Sequence, residues 1–575
     1  MPPDPEAWTR GLAGEETPWR ERWLEDARAE IVRTALSHPN AYAAIGFDGF
    51  ADARGQRNVG LDQPDAPLDA EIRVPPTLPG ADYGETCDAI IIGSGAGGAP
   101  LAAELCRAGL RVVLLEAGSQ HSPLNFATDE RATEYLFWND ERLSAGQHPI
   151  AFGANNSGQG VGGSTLHWTA YTPPPFEDDF RLRSTTGAGV DWPFGLDELR
   201  PFLKRAVEIL GVSGPGDGYP NPPLPLNAAA QLMARGCDAL GIPYEAAANA
   251  APSRPYFHEE VGWRSMCTGR GFCQAGCSVG AKGSADVTWI PMALRHGLDL
   301  RPNARVTLIE KEGDKVTGVV YRQGGEERRI RAENVFLCAG GIESPRLLLM
   351  NRLGNEHVGR WFMAHPGLQL FGFFEETTRP WRGIPGGLLS TAYQRPTEAD
   401  FAGGYILQSI GVMPLTYAAQ LTRGTALTSE ELGGHMSRFP HVAGINICGE
   451  CLPKEGNYLE LSGEKDRHGM PKPRIHHDRG PNEEAIYRHG ERTMRGIWEA
   501  AGATGIWTFP REAHTLGTCR MTPDGEGVVD ADHRVHGVRG LFVCDNSNFP
   551  SSLTTNPALV QMALSLRLAE RFLRS

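Results

Sequence analysis

The sequence predicts an α/β protein of at least two domains, and three observations carry that reading. The chain has 575 residues, more than a single hydrophobic core serves. The run CDAIIIGSGAGGAPLAAELCRAGLRVVLLEAG, Cys87 to Gly118, has βαβ periodicity with glycines at its first turn. Short apolar strands of the same kind recur at Val306–Glu310 and Val335–Leu337. Long stretches rich in Pro and aromatic residues lie between and after them, which reads as a second domain inserted into the first.

Composition narrows the function class. Net charge is −14 and no long basic run occurs, which argues against a nucleic-acid or anionic-membrane partner. No run of about 18 apolar residues is present to form a spanning helix. The first residues, MPPDPEAWTRGLAGEETPWRERW, have neither a basic head nor an apolar core, so a cytoplasmic protein is expected. Eleven cysteines, an odd number scattered along the chain, suit free thiols or a metal site better than a disulfide framework.

In chain order, the first element is a helix from about Thr17 to Ser37, with Thr17 as N-cap and Pro18 at the first helical position. Trp19, Trp23, Ala27, Ile31 and Ala35 fall at i, i+4 spacing and predict an apolar stripe for packing on the body or on a second subunit. A Pro-rich linker, Val74 to Gly80, follows. DAIII then reads as a buried strand, GSGAGG as a tight turn, PLAAELCRAG as an apolar-faced helix and RVVLLE as a second strand. From about Gly517 the pattern returns to βα character, with GLFVCDNSNFP and a long C-terminal helix from Pro557.

The glycine turn is a dinucleotide fingerprint in context: it follows a strand, opens a helix and has an acid at the end of the next strand. Gly93 allows the turn, Gly95 lets the backbone approach a pyrophosphate, and Gly98 permits close helix–sheet packing. The helix N-terminus favours the phosphate charge. Glu116 is placed to accept from a ribose diol and to repel a 2′-phosphate. The fingerprint alone does not separate NAD from FAD.

Several motifs, in order along the chain, do. The fingerprint, AGGIESPRLLL (Ala339 to Leu349), HTLGTCRM (His514 to Met521) and VVDADHRVHGVRGLFVCDNSNFPSSLTTNP (Val528 to Pro557) resemble the glucose–methanol–choline (GMC) flavoprotein oxidoreductases. The resemblance covers nearly everything after Cys87. It implies a Rossmann-like FAD-binding domain built from discontinuous segments, 87–172, 263–366 and 514–575. An α+β substrate-binding domain, antiparallel sheet plus helices, would come from 173–262 and 367–513, with 1–86 as a helical arm and linker. It implies FAD as cofactor, with Glu116 at the adenosine ribose, Val306 at the adenine, Asp545 and Asn546 near the pyrophosphate and flavin ends, and Pro557 at the start of a helix facing the flavin.

Alcohol oxidation by a flavin needs a base for the hydroxyl proton and a second polar group to hold the oxygen while hydride passes to flavin N5. The positions that the family uses for this pair are His514 and Asn556 here. His514 is expected as general base and Asn556 as its hydrogen-bonding partner. In VGGSTLHW, Gly162 and Gly163 let the backbone pass close to the flavin ring. His167 stands at the offset where pyranose oxidases, and in pattern the gluconate and fructose dehydrogenases, carry a His, joined covalently to the flavin in the oxidases. His167 is therefore expected at the flavin, by a covalent bond or by contact.

Cys267, Cys273 and Cys277, spaced C-x5-C-x3-C, could ligate an iron–sulfur cluster as in related sugar dehydrogenases, although buried or free thiols are the expected reading. Cys448 and Cys451 read as packing; His365 is weighed for a place near the substrate cavity, with packing the stronger reading. The expected activity is FAD-dependent oxidation of a CH–OH group of a sugar, glycoside or other bulky alcohol. Electrons would pass to oxygen, a quinone or a redox protein. The alternatives are an iron–sulfur dehydrogenase subunit serving a cytochrome and a flavin-dependent lyase with structural FAD.

Overall fold

The computed structural model describes residues 18–45, 47, 55–64, 66–138, 140–150, 157–397, 399–424, 427–522 and 525–575. Its first layer is a five-stranded parallel sheet. The order is Leu541–Val543, Val335–Leu337, Ala89–Ile92, Val112–Leu115, Asp299–Arg301, with every neighbour parallel. The central strand, Ala-Ile-Ile-Ile, is fully buried, as a parallel strand covered on both faces must be. The fingerprint helix Gly98–Arg107 packs on these strands and is flanked by Trp289–Arg295 and Ala558–Arg574.

Two sequence expectations change here. The strand at Val306–Glu310 does not join the parallel sheet. It lies in Arg305–Glu312, the first strand of a three-stranded antiparallel sheet with Lys315–Gln323 and Glu326–Arg331. The Gly313–Asp314 turn sends it straight back, whereas a parallel partner needs a crossover of about a dozen residues. The helix Leu196–Leu210, assigned from sequence to the substrate part, packs against Ala558–Arg574. With Phe180, Trp192 and Leu203 it joins the same core as the parallel sheet. An amphipathic stripe states that a helix covers something but not which layer.

The second layer is a six-stranded sheet in the order Gly505–Leu516, Met363–Phe373, Val442–Gly449, Tyr405–Ile410, Leu388–Ser390, Glu245–Ala246. All its pairings are antiparallel. Helices Ala228–Leu240 and Pro481–Ala500 close one face through Leu232, Met233, Met494, Ile497 and Trp498. A smaller sheet joins Tyr458–Lys465 and Pro471–His476 to Leu143–Ala145, so the two sequence segments assigned to different domains are stitched by backbone hydrogen bonds.

The N-terminal helix runs from Pro18 to Leu36 and packs against helix Pro414–Gly424. Thr17, expected as its cap, lies outside the described residues, as do the side chains of Trp19 and Trp23. The packed face is Ala29, Val32 and Leu36, whereas Ile31 is 68 % exposed. A strict i, i+4 series advances about 40° per step on a helix of 3.6 residues per turn, so its far end rotates off the packed face. No helix among the described residues is long and apolar enough to cross a membrane.

Candidate active site

One elongated cavity, about 1770 Å³ with its mouth included, runs along the carboxyl ends of the parallel strands and under the antiparallel sheet. Gly93, Gly95, Glu116, Gly163, His167, Val306, His514, Asp545, Asn546, Asn556 and Pro557 all line it. Gly98 and Gly162 stand behind the lining. A Cβ on Gly98 would lie 1.9 Å from the Gly93 carbonyl oxygen, so the helix meets the strand there with no room for a side chain. Gly163, at φ +53°, brings its backbone against that of Gly95, where a Cβ would fall 2.8 Å from the Gly95 Cα. The two glycine turns therefore form one backbone cradle.

The cavity suits an anion. The helices Gly98–Arg107, Gly340–Asn351 and Ala558–Arg574 all begin at it, and none has a side-chain cap. Gly340 N donates to Asp545 and Ala99 N to the Gly95 carbonyl, and the dipoles of the three helices favour negative charge at these ends. The two acids expected at the cofactor are occupied in holding the cradle. Glu116 accepts from Ser94 N (3.1 Å), Ser94 Oγ (2.6 Å), Gly118 N (2.8 Å) and Gly160 N (3.4 Å). Burial pushes its carboxyl above the usual range. A ribose diol would compete best with the longest of these bonds. Asp545 accepts from Gly340 N (2.9 Å), Ser344 Oγ (2.5 Å), Ser547 N (2.9 Å) and Ser547 Oγ (2.6 Å), which ties the Asn546 turn to the start of a neighbouring helix.

His167 caps the short 3₁₀ turn Gly163–Leu166 and is 6 % exposed. Its ring rests on Phe137, centroids 4.7 Å apart, and its buried Nε2 has no hydrogen-bond partner among the described residues. Burial, then the nearby Lys282 cation, lowers its pKa to about 3. The ring is thus neutral, with an orphaned nitrogen in the wall of the cavity. Lys282 holds that segment in place. Its buried Nζ donates to the carbonyls of Leu166 (2.7 Å), Trp168 (3.2 Å) and Cys273 (2.5 Å). Cys267, Cys273 and Cys277 line a separate small cavity beside Lys282. Burial pushes the Cys267 thiol to about 11 and the Cys273 thiol to about 12.

His514 and Asn556 stand where the long cavity meets a second, inner one of about 820 Å³, mouth included, and both line each. His514 sits at a bulge. Ala364 pairs with Thr515 and His365 with Ala513, so His514 is the extra residue, with φ +58°. A bulge re-aims a side chain that regular alternation would send elsewhere. It brings His514 Nδ1 to 3.0 Å from His365 Nδ1, with the rings at 86°. Burial, then His365 and Arg511, hold the His514 pKa well below its ordinary value. Asn556 precedes the C-terminal helix, and its Oδ1 accepts from Gln408 Nε2 at 2.6 Å. With that oxygen engaged, Asn556 has a donor to offer the cavity. The inner cavity is rich in amides: Gln274, Gln369, Gln408, Gln420 and Asn446 line it with Arg511. The buried carbonyl oxygens of Gln420 and Asn446 have no partner among the described residues.

The sequence reading assigned His365 to packing and did not single out Lys282, Gln408 or Arg511. His365 had a signal: a His within MAHPGLQLFGF, a strand buried along its whole length, needs a partner for each ring nitrogen. Lys282 and Gln408 act through contacts 116 and 148 residues away in the chain, which spacing does not disclose.

Comparison with known proteins supports the same reading. A family model described as GMC oxidoreductase matches residues 144–367, and a second of that description matches 453–565; together they take in more than half of the chain. A 2-methyl-1,2-propanediol dehydrogenase of Mycolicibacterium austroafricanum is 28 % identical over 84 % of this chain and 94 % of its own. The fructose dehydrogenase large subunit of Gluconobacter japonicus is 28 % identical over 85 % and 98 %. Among solved structures, a pyridoxine 4-oxidase from Mesorbium loti superposes with a TM-score of 0.62 at 19 % identity, covering 85 % of this chain and 99 % of that one.

Proposed function

The chain belongs to the GMC oxidoreductase family and is an FAD-dependent enzyme acting on CH–OH groups, and on that premise we propose how its residues do so and on what. The single observation that carries the reading is the place of His514 and Asn556 at the junction of the two cavities. FAD bound in the long cavity supplies the two-electron acceptor for hydride. The backbone cradle of Gly93, Gly95 and Gly163, the three helix N-termini at the cavity and the orphaned His167 nitrogen fit that cofactor. We assign Glu116 and Val306 to its adenosine end, and Asp545, Asn546 and Pro557 to the pyrophosphate and flavin ends.

In the inner cavity the substrate hydroxyl lies between His514 and Asn556. Asn556 donates to the oxygen and fixes the direction of the carbon. His514, neutral at physiological pH because burial depresses its pKa, takes the hydroxyl proton. The positive end of helix Ala558–Arg574 lines the adjoining long cavity. His167 would face the flavin with its unpartnered Nε2, joined to it by a covalent bond or in contact with it.

The substrate class we propose is a polyhydroxylated molecule, a sugar or glycoside. Amide side chains offer paired donors and acceptors without net charge, and the unpartnered oxygens of Gln420 and Asn446 would accept from hydroxyl groups. We place the protein in the cytoplasm, where its eleven free thiols would stay reduced. A second reading, an iron–sulfur dehydrogenase, draws on the three cysteines around one small cavity.

The test is anaerobic. Pyranoses, glycosides and simple or aromatic alcohols are added in turn, and loss of the oxidised-flavin absorbance is followed. Sugars or glycosides should bleach the flavin, and His514→Ala should slow bleaching by about 10²–10⁴-fold with FAD still bound. Bleaching by other alcohols alone would remove the sugar assignment. Turnover without any bleaching would favour a lyase.

A further inference from the structure

A general base on an imidazole needs one particular tautomer, since only the bare nitrogen can take a proton. His514 carries no label for this in the sequence. Its surroundings determine it, through a chain of hydrogen bonds that begins outside the cavity.

Leu553 lies in the loop before Asn556 with φ +66°, a conformation costly for a branched side chain. Both neighbours are pinned. Ser552 Oγ donates to Glu450 Oε1 (2.9 Å) and accepts from Cys451 N (2.8 Å), and Thr554 Oγ1 donates to Asp179 Oδ1 (2.8 Å). Held at both sides, Leu553 turns its carbonyl to His365 Nε2 at 3.0 Å. A carbonyl oxygen only accepts, so the proton of His365 sits on Nε2 and its Nδ1 is bare. That bare Nδ1 faces His514 Nδ1 at 3.0 Å. Two bare nitrogens do not bond, so the proton of His514 sits on Nδ1. Its Nε2 is left without a proton.

We propose that His365 is a positioning residue that carries the polarity of the Leu553 carbonyl to His514 and so presents Nε2 of His514 as the proton acceptor. The proposal rests on the reading of His514 as base. In the step itself, the substrate O–H bond breaks and an N–H bond forms at His514 Nε2. The C–H electron pair leaves as hydride to FAD, and the alcohol becomes a carbonyl. His514 then holds two protons, and the one on Nδ1 stays hydrogen-bonded to His365. Among the described residues Cys448, whose sulfur lies within 4.8 Å of a nitrogen of each ring, and Arg511 on the His514 strand also face the pair, and neither supplies a carboxylate. His365 Nδ1 is the acceptor the geometry gives the imidazolium.

Two measurements test this. In ¹⁵N-histidine-labelled holoenzyme, signals lost in His514→Gln and in His365→Gln identify the two rings. Long-range ¹H–¹⁵N spectra should give His514 protonated on Nδ1 and His365 on Nε2. His514 protonated on Nε2 would overturn the proposal. The second measurement compares His365→Leu, which removes the acceptor, with His365→Gln, whose carboxamide can accept from His514 and donate to Leu553. With the alcohol that bleaches the wild-type flavin, the Leu variant should reduce flavin about 10–100-fold more slowly, with the half-saturation constant changed by less than about threefold. The Gln variant should recover most of the rate. Wild-type rate in His365→Leu, at normal FAD content, would also overturn the relay. If His514→Gln itself reduced flavin at the wild-type rate, the base assignment would fail while the spectra still decided the tautomers. Should the Leu variant not fold, the spectra and the Gln variant remain decisive.

Discussion

At the scale of single residues, the two members of the pair differ in what prepares them. In the proposed reaction His514 would act as an acceptor because a nitrogen faces it, and Asn556 as a donor because its oxygen is already taken. The second point is open to a direct test through Gln408, which is 2 % exposed and bonds Asn556 Oδ1 at 2.6 Å. Gln408→Leu keeps the volume and removes the bond. Asn556 can then turn either end of its amide to the substrate, and only one end donates. The expected result is a fall of about tenfold in the rate of flavin reduction at saturating alcohol, with FAD retained. An unchanged rate would mean that Asn556 holds its orientation without Gln408. The sequence displayed His514 and Asn556 because their flanking residues form recognisable runs. It did not display Gln408, because a hydrogen-bond partner across a sheet leaves no spacing to read, and it offered His365 near the cavity only as the weaker reading.

At the scale of elements, the loops decide more than the strands. The βαβ unit was legible from periodicity and glycine placement, and it forms over Ala89–Ile92, Gly98–Arg107 and Val112–Leu115. The strand at Arg305–Glu312 was legible as a strand but not as a member of another sheet, since a run of alternating apolar residues does not name its neighbours. The bulge at His514 was not legible at all. The segment Leu166–Trp168 shows how one buried cation can fix a loop: Lys282 meets carbonyls on both sides of His167 and one in the cysteine loop. Lys282→Met would leave three carbonyls without a donor, each costing about 1–3 kcal/mol, offset in part by the relief of burying a charge. The melting temperature should fall by a few degrees, and the purified variant should carry less than its full complement of flavin. After acid precipitation, wild-type protein should keep its flavin in the pellet, and the variant should release a larger share. Full and equally tight flavin retention would show that the loop does not need the cation.

At the scale of the whole molecule, burial sets how stability responds to acid. Histidines are packed neutral in both layers: burial lowers His167 to about 3, His365 to about 4 and His533 to about 3. In the unfolded chain each titrates near 6.5. Below about pH 6.5 the unfolded chain therefore takes up protons that the folded one refuses, and stability contributed by these residues is lost as pH falls toward the folded values. Buried carboxyls pull the other way. Glu450 is raised to about 8, so the folded state there prefers the proton and loses stability as pH rises from about 4.5 toward 8. A bare acid-unfolding curve mixes these signs, but a difference between two proteins does not. His533 is fully buried, has Nδ1 3.0 Å from the Val543 carbonyl and 2.9 Å from Asn548 Nδ2, and lies outside the lining of both substrate-side cavities. His533→Gln keeps a donor and removes the titration. Its stability relative to wild type should rise by about 1.4 kcal/mol for each pH unit between about 6.5 and 3, whatever the offset at neutral pH. Chemical denaturation of both proteins at pH 7, 6, 5 and 4 reads this slope. A difference that stays constant across the range would mean that His533 takes up a proton in the folded protein as easily as in the unfolded chain, and that burial at the edge of the parallel sheet does not keep it neutral.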